Sequence, residues 1–213
     1  MPDHSKSLAI LQKDRKLAPL VKKYGPPTLR RVGNTFQALV RAIIHQQVSG
    51  PAARTIHARF LALFPKGRSP SPAAVLKIPL GKMHAAGLSR QKASYIKDLA
   101  EKFSNGTVKY RSLHRMTSDE LVSHLTQVKG IGVWSVHMFL IFTLNRPDVL
   151  PTGDLGIRKG FQIVYGLKGL PERSQMEELA VSWRKYASYA SWYLWRAADA
   201  AKEKVRVNRR AER

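Results

Sequence analysis

Between Leu121 and Phe161 the sequence runs LVSHLTQVKGIGVWSVHMFLIFTLNRPDVLPTGDLGIRKGF, and few folds accommodate it. Apolar residues at helical spacing on both sides of Gly130-Ile131-Gly132 require two helices joined by a tight glycine corner, and a third helix opens after Asp154. The first-turn N–H groups of a helix have no intrahelical partner, so a glycine-led helix start is an anion site that needs no cationic side chain. Glycine also lets the backbone take positive φ and approach closely whatever binds there. Read alone, the corner has an ordinary tightly packed helix-turn-helix as its alternative.

Charge supplies the missing context. The 213 residues carry 37 Lys+Arg against 14 Asp+Glu, a formal net charge of +23, and such a field draws polyanions and speeds their encounter. The expected ligand of the corner is therefore a nucleic-acid phosphate, although charge alone also fits a solubility or thermal adaptation or a ribosomal or chromatin packing protein. With 44% hydrophobic residues the chain is no disordered basic tail. The absence of cysteine excludes disulfides, thiolate zinc sites and cysteine-ligated iron–sulfur clusters. No apolar run reaches the roughly 18 residues a membrane helix needs, and the N-terminus has no secretory apolar segment. These features are expected of a soluble, intracellular protein, in the cytoplasm or nucleoid of a prokaryote or the nucleus of a eukaryote, with no membrane contact.

Helical spacing of apolar residues nearly everywhere predicts an all-α fold. Phe36, Leu39, Val40, Ile43 and Ile44 mark one face after an Asn34 cap, and a helix with Pro51 in its first turn follows and stops before Pro65. Ser71-Pro72 opens a short helix, and Gly87 ends the next. Ser89 caps a helix that Asn105-Gly106 terminates, Thr117 and Glu120 form a capping box, and the second hairpin helix spans about Val133 to Leu144. Further helices are expected after Asp154, after Ser174 and from about Ser188 to Ala200. The whole chain, 1–213, is expected to be one unit of two helical lobes: 34–145 with the hairpin, and 1–33 plus 146–200. A frayed basic tail is expected over 201–213.

The segment Leu125-Thr126-Gln127-Val128-Lys129-Gly130-Ile131-Gly132-Val133-Trp134-Ser135, followed by Pro151-Thr152-Gly153-Asp154, resembles the helix-hairpin-helix of the DNA glycosylase superfamily with its downstream Gly/Pro loop and catalytic aspartate. The resemblance extends more weakly from about Phe36 to Asp199. It implies two lobes flanking a DNA-binding cleft, with Lys129, Gly130, Ile131, Gly132 and Ser135 on phosphate. It also implies a monovalent cation, Na+ or K+, on the carbonyls of Thr126, Val128 and Ile131. Superfamily members that also cut the DNA backbone place a lysine where this chain has Trp134, so the resemblance implies a monofunctional enzyme using water. Trp134 and Trp195 look like the aromatic lining of the 3-methyladenine glycosylase branch, where indole faces attract a cationic alkylpurine by roughly 0.5 to 2 kcal/mol. Both are alternatively plain core residues. Some members carry tyrosines one turn after this Trp and directly after the Asp, positions held here by Met138 and Leu155, which complete the expected pocket.

Cleaving an N-glycosidic bond builds positive charge on the sugar, so an anion beside C1′ is what the chemistry asks for, and Asp154 is the candidate. By itself an Asp after Thr-Gly also reads as a helix N-cap. Asp148 is expected to structure the loop instead. His45-Gln46-Gln47-Val48-Ser49-Gly50 is similar to the family's wedge loop, with Gln47 entering the base stack and Gln46 beside it, or else it is a plain polar turn. His45, His84, His114 and His124 show no metal-binding spacing and are expected in loops or at the surface. Arg90, Lys92, Arg158 and Lys159 are candidate phosphate contacts.

The expectation is a monomeric DNA glycosylase of the alkylpurine type acting on damaged double-stranded DNA in base excision repair, without organic cofactor or iron–sulfur cluster. It would release 3-methyladenine, with 7-methylguanine, hypoxanthine and ethenoadenine as further candidates. The alternatives are a noncatalytic binder of abasic or distorted DNA, and a glycosylase for oxidised or mismatched bases, which the missing lysine and the two tryptophans disfavour.

Overall fold

A computed structural model of the chain describes residues 4–29, 34–65 and 69–211. Parts of the expected lobes, 1–3, 30–33 and 66–68, and the last two residues of the expected tail lie outside the described residues. The described residues are helical with no strand, and none of their helices is long and apolar enough to cross a membrane.

The chain opens with two short helices, α1 (His4–Leu11) and α2 (Ala18–Tyr24), where the sequence reading places no specific element. Then come α3 (Thr35–His45), α4 (Gly50–Leu61), α5 (Pro72–Lys77), α6 (Leu80–Ala85) and α7 (Arg90–Ser104). A 3-10 turn at Leu113–Arg115 leads to α8 (Ser118–Leu125) and α9 (Val133–Phe142). Last are α10 (Leu155–Tyr165), α11 (Arg173–Leu179), a 3-10 segment at Val181–Tyr186, and the long α12 (Ala187–Ala211).

Local chemistry accounts for the starts and stops. Asn34 accepts from the N–H groups of Phe36 and Gln37, Ser49, Ser71 and Ser89 cap α4, α5 and α7, and Thr117 and Glu120 form both bonds of the capping box. Gly87 and Gly106 take positive φ past the ends of α6 and α7, as expected of terminators. The helix expected after Ser174 starts earlier, with Glu172 at its N-cap and no side-chain bond there.

The chain divides into two compact units, Arg30–Leu144 and a discontinuous one made of Met1–Leu29 with Asn145–Arg213. In the first, α3 packs on α4, α7 and α9, and α9 also packs on α8. Helix α9 is apolar on nearly every face, with Ser135, Val136, Phe139, Leu140 and Ile141 buried, the pattern of an enclosed helix. In the second, α10 lies along α12, and Trp183, Tyr193 and Phe161 are fully buried in a core with Leu11, Leu17 and Met176.

Two differences from the sequence reading stand out. Asn145 belongs to the discontinuous unit, and the basic run from 201 is not a frayed tail but the continuation of α12 to Ala211. Alanine, lysine, glutamate and arginine are all good helix formers, and nothing in Ala200-Ala201-Lys202-Glu203-Lys204 stops a helix.

Candidate active site and nucleic-acid interface

The hairpin is held to its own unit by one face of α7. Lys92, Tyr95 and Asp98, at helical spacing, anchor three neighbouring points. The Lys92 ammonium donates to the carbonyls of Ile44 (2.8 Å) and Gln46 (2.7 Å), closing the C-terminal end of α3. Burial lowers its pKa. Lys92 is thus engaged in structure and is not the free phosphate contact expected of it; its neighbour Arg90 is exposed. The ring of Tyr95 lies against Gly130, where an added Cβ would stand 2.0 Å from Cδ2. The Asp98 carboxylate accepts the Lys129 N–H at 2.9 Å and pairs with the Lys102 ammonium at 2.6 Å. Burial pushes the Asp98 carboxyl up, but the hydrogen bonds from Lys102 and the Lys129 amide, with both ammonium charges, outweigh it and hold the group below its ordinary range. None of these anchors is marked in the sequence, because a polar stripe on a helix looks like a solvated face.

The two hairpin glycines do different things. Gly130 sits at φ 78° against Tyr95, so the fold itself demands it. Gly132, the N-cap of α9, has φ −97° and ψ 174°, a conformation any residue adopts, and an added Cβ would meet nothing within 4 Å. No side chain caps the first turn of α9. Among the described residues nothing asks for glycine at 132. The side chain of Ser135 is buried and meets the Gln46 amide at 3.3 Å, so its hydroxyl is turned inward and only its backbone belongs to the expected phosphate-binding set.

Gln46 is likewise turned inward. Its amide donates to the Gly130 carbonyl at 2.7 Å and ties the turn after α3 to the hairpin. Of the glutamine pair, Gln47 alone is exposed, at φ 53°, a left-handed conformation that costs a non-glycine residue. Val48 beside it is 37% exposed, an apolar side chain at the turn that the sequence reading overlooked. A cleft of about 450 Å³ opens between this turn, the start of α7 and Gly130. Trp134, on the first turn of α9, is 45% exposed, so it is not a plain core residue, and Met138 one turn on is half-buried.

In the other unit, Asp154 is the N-cap of α10. Its Oδ1 accepts the Ile157 N–H at 2.8 Å and the indole N–H of Trp195, from α12, also at 2.8 Å. Asp154 thus caps a helix, as an Asp after Thr-Gly reads, and is half-buried beside an indole. Leu155 next to it is 54% exposed. The loop before Asp154 is pinned by the buried hydroxyl of Ser188, which donates to the Arg146 carbonyl (2.6 Å) and accepts the Val149 N–H (3.1 Å). Asp148 takes part in this loop through its backbone carbonyl, which accepts from Arg184. Arg158 is not a free phosphate contact: it donates to the Pro171 carbonyl and pairs with Glu172. Lys159 is exposed.

Residues 40–185 match the family model of the HhH-GPD superfamily of base excision DNA repair proteins. The chain belongs to this superfamily. The DNA-3-methyladenine glycosylase 1 of Schizosaccharomyces pombe is 33% identical over 88% of this chain and 82% of that protein. The solved 3-methyladenine DNA glycosylase of the same yeast, in complex with abasic DNA, superposes with a TM-score of 0.80 at 33% identity over 90% of this chain and 95% of the other. A DNA-3-methyladenine glycosidase from Bacillus halodurans superposes with a TM-score of 0.84 at 30% identity, covering 94% and 92%. The two helices α8 and α9, the turn 126–132 between them and the loop that ends at Asp154 all lie within the matched residues.

Proposed function

We propose that this HhH-GPD protein is a monofunctional DNA glycosylase that releases alkylated purines from duplex DNA, with Asp154 as its catalytic carboxylate. The observation that carries the reading is the carboxylate itself, fixed by two N–H donors on one oxygen at a helix start, in a chain related to 3-methyladenine glycosylases. In the reaction the bond from C1′ to the base nitrogen breaks and its electron pair leaves with the base. The ionised Asp154 stabilises the positive charge on the sugar, water oxygen bonds to C1′, and the water proton passes to the carboxylate or to solvent. A cationic 3-methyladenine leaves readily without a strong general acid, so one carboxylate suffices. Trp134 has no amine to form a Schiff base, so the product is an abasic site in an uncut strand.

The hairpin supports the DNA-binding half of the proposal through the bare helix start at Gly132. Three neutral carbonyls, those of Thr126, Val128 and Ile131, suit a weakly bound monovalent cation better than a divalent one, since no carboxylate is among them. The Thr126 hydroxyl turns back to the Val122 carbonyl, and the Thr126 carbonyl lies at the C-terminal end of α8, where carbonyls lack helical partners. The cation would add positive charge for a phosphate. Extruding a base from a duplex leaves a gap that exposed Gln47 would fill. The protein would act as a monomer.

The test is chromatography of bases freed from methylated genomic DNA by wild type and by Asp154→Asn. Free 3-methyladenine from wild type alone is the expected result. No release by wild type, with retained binding to abasic duplex, would assign the chain to the noncatalytic class instead.

A further inference from the structure

Helix α10 carries glycines at 156 and 160, one turn apart, on the side that meets α12. At Gly160 an added Cβ would stand 2.5 Å from the Leu194 carbonyl oxygen, so there the two helices touch backbone to side-chain-free backbone. At Gly156 an added Cβ would stand 2.9 Å from Trp195 Cδ1, 3.2 Å from its Nε1 and 3.0 Å from Asp154 Oδ1. Both glycines are helical, a position that disfavours glycine over alanine by about 1 kcal/mol, so packing accounts for them and helix propensity does not. The space at Gly160 is taken by Leu194, and the space at Gly156 by the Trp195 indole edge, whose N–H reaches Asp154 Oδ1 at 2.8 Å.

We propose that Trp195 is a positioning residue for Asp154, acting through its indole N–H, and that Gly156 is the second positioning residue, since only a missing side chain there lets the indole reach the carboxylate. This rests on Asp154 being the catalytic group, and it differs from a role for Trp195 as an aromatic wall for the base. With Ile157 N–H and Trp195 N–H on the same oxygen, the carboxylate has few ways to turn, and rotation of its plane would misplace the charge from C1′. Misplacement by an ångström is enough to matter greatly in a positioned reaction. A wall needs the face of a ring, whereas a clamp needs the polar edge, and the two requirements separate experimentally.

The experiment measures single-turnover base release from methylated duplex, alongside affinity for a duplex carrying a tetrahydrofuran abasic site. Trp195→Phe keeps a ring face and removes the N–H, and Trp195→Leu removes both. A clamp predicts that Phe and Leu slow release alike, on the order of 10-fold, with affinity within about twofold of wild type. Gly156→Ala should slow release to the same extent, and Gly156→Ala with Trp195→Phe should be no slower than Trp195→Phe alone, because both act on one bond. Independently of activity, the indole N–H resonance that disappears in Trp195→Phe should shift in Asp154→Ala and in Gly156→Ala. Phe rescuing the rate that Leu loses would overturn the clamp in favour of a wall, and so would an unmoved indole resonance. If Asp154→Asn proves as active as wild type, the catalytic reading itself fails; if it is inactive while Trp195→Phe is fully active, only the clamp does.

Discussion

Helices α9 and α10 begin in opposite ways. The first starts at Gly132 with no side-chain cap, and a Cβ added at that glycine would meet nothing within 4 Å. The second starts at Asp154, whose carboxylate accepts the Ile157 N–H and an indole N–H as well. Every helix start attracts negative charge. One of these leaves that demand open to an anion from outside the chain; the other meets it with an internal anion and holds that anion still. A protein that must grip a phosphate and also place a carboxylate beside a sugar can use the same physical device twice, once with the side chain left out.

The largest effect expected from altering this pair is at the capped end. Asp154→Asn keeps an N-cap oxygen and removes the charge, so base release should fall by about 100-fold or more while the thermal midpoint stays close to wild type. A variant still releasing bases at half the wild-type rate would break the assignment. Next comes Gly130→Ala, where positive φ and the Tyr95 ring both resist a methyl group. It should destabilise the fold by about 2 kcal/mol, read from urea unfolding.

Gly132→Asp makes the start of α9 resemble that of α10. The backbone there already suits a capping residue, so stability should hold or rise slightly. Affinity for abasic duplex should fall about 10-fold as the new carboxylate takes the place of the phosphate. Unchanged affinity would show that no phosphate docks on α9.

The smallest effect concerns the hairpin's anchor. Asp98 has a folded pKa below its ordinary value, so its contribution, about 1 kcal/mol, is complete above about pH 4 and disappears as the pH falls through the depressed value. The gap in urea midpoint between wild type and Asp98→Asn should therefore be widest near neutrality and close in acid.

What could be read from the sequence follows from how local each signal is. Caps at Asn34, Ser71, Ser89 and Thr117 act within three residues, so each helix start was visible where it stands. The glycine corner and Asp154 were visible because few residue types can do what those positions require. Lys92, Tyr95 and Asp98 were hidden because their partners lie on other segments; Lys92, for instance, reaches Ile44, 48 residues away. Gln46 and Gln47 are chemically identical in the sequence, and only the structure turns one inward to Gly130 and leaves the other exposed. Arg158 misled for a related reason: a long cation on a helix near the site reads as a phosphate contact until its carbonyl and carboxylate partners are seen. The partnership of Gly156 with Trp195 spans two helices far apart in the chain, and no periodicity announces it.

The discontinuous build of one unit has a consequence for how the protein is made. Arg30–Leu144 is continuous, so the hairpin unit can fold while the chain is still being synthesised. The other unit needs both ends: Tyr165 binds Asp14 across 151 positions, and Tyr193 binds Gly25 across 168. Asp154 therefore acquires its indole partner only after α12 has left the ribosome. A nascent or prematurely ended chain would carry the hairpin well before Asp154 had its indole partner, so an intact last helix is a condition of the Asp154 geometry on which the proposed catalysis rests.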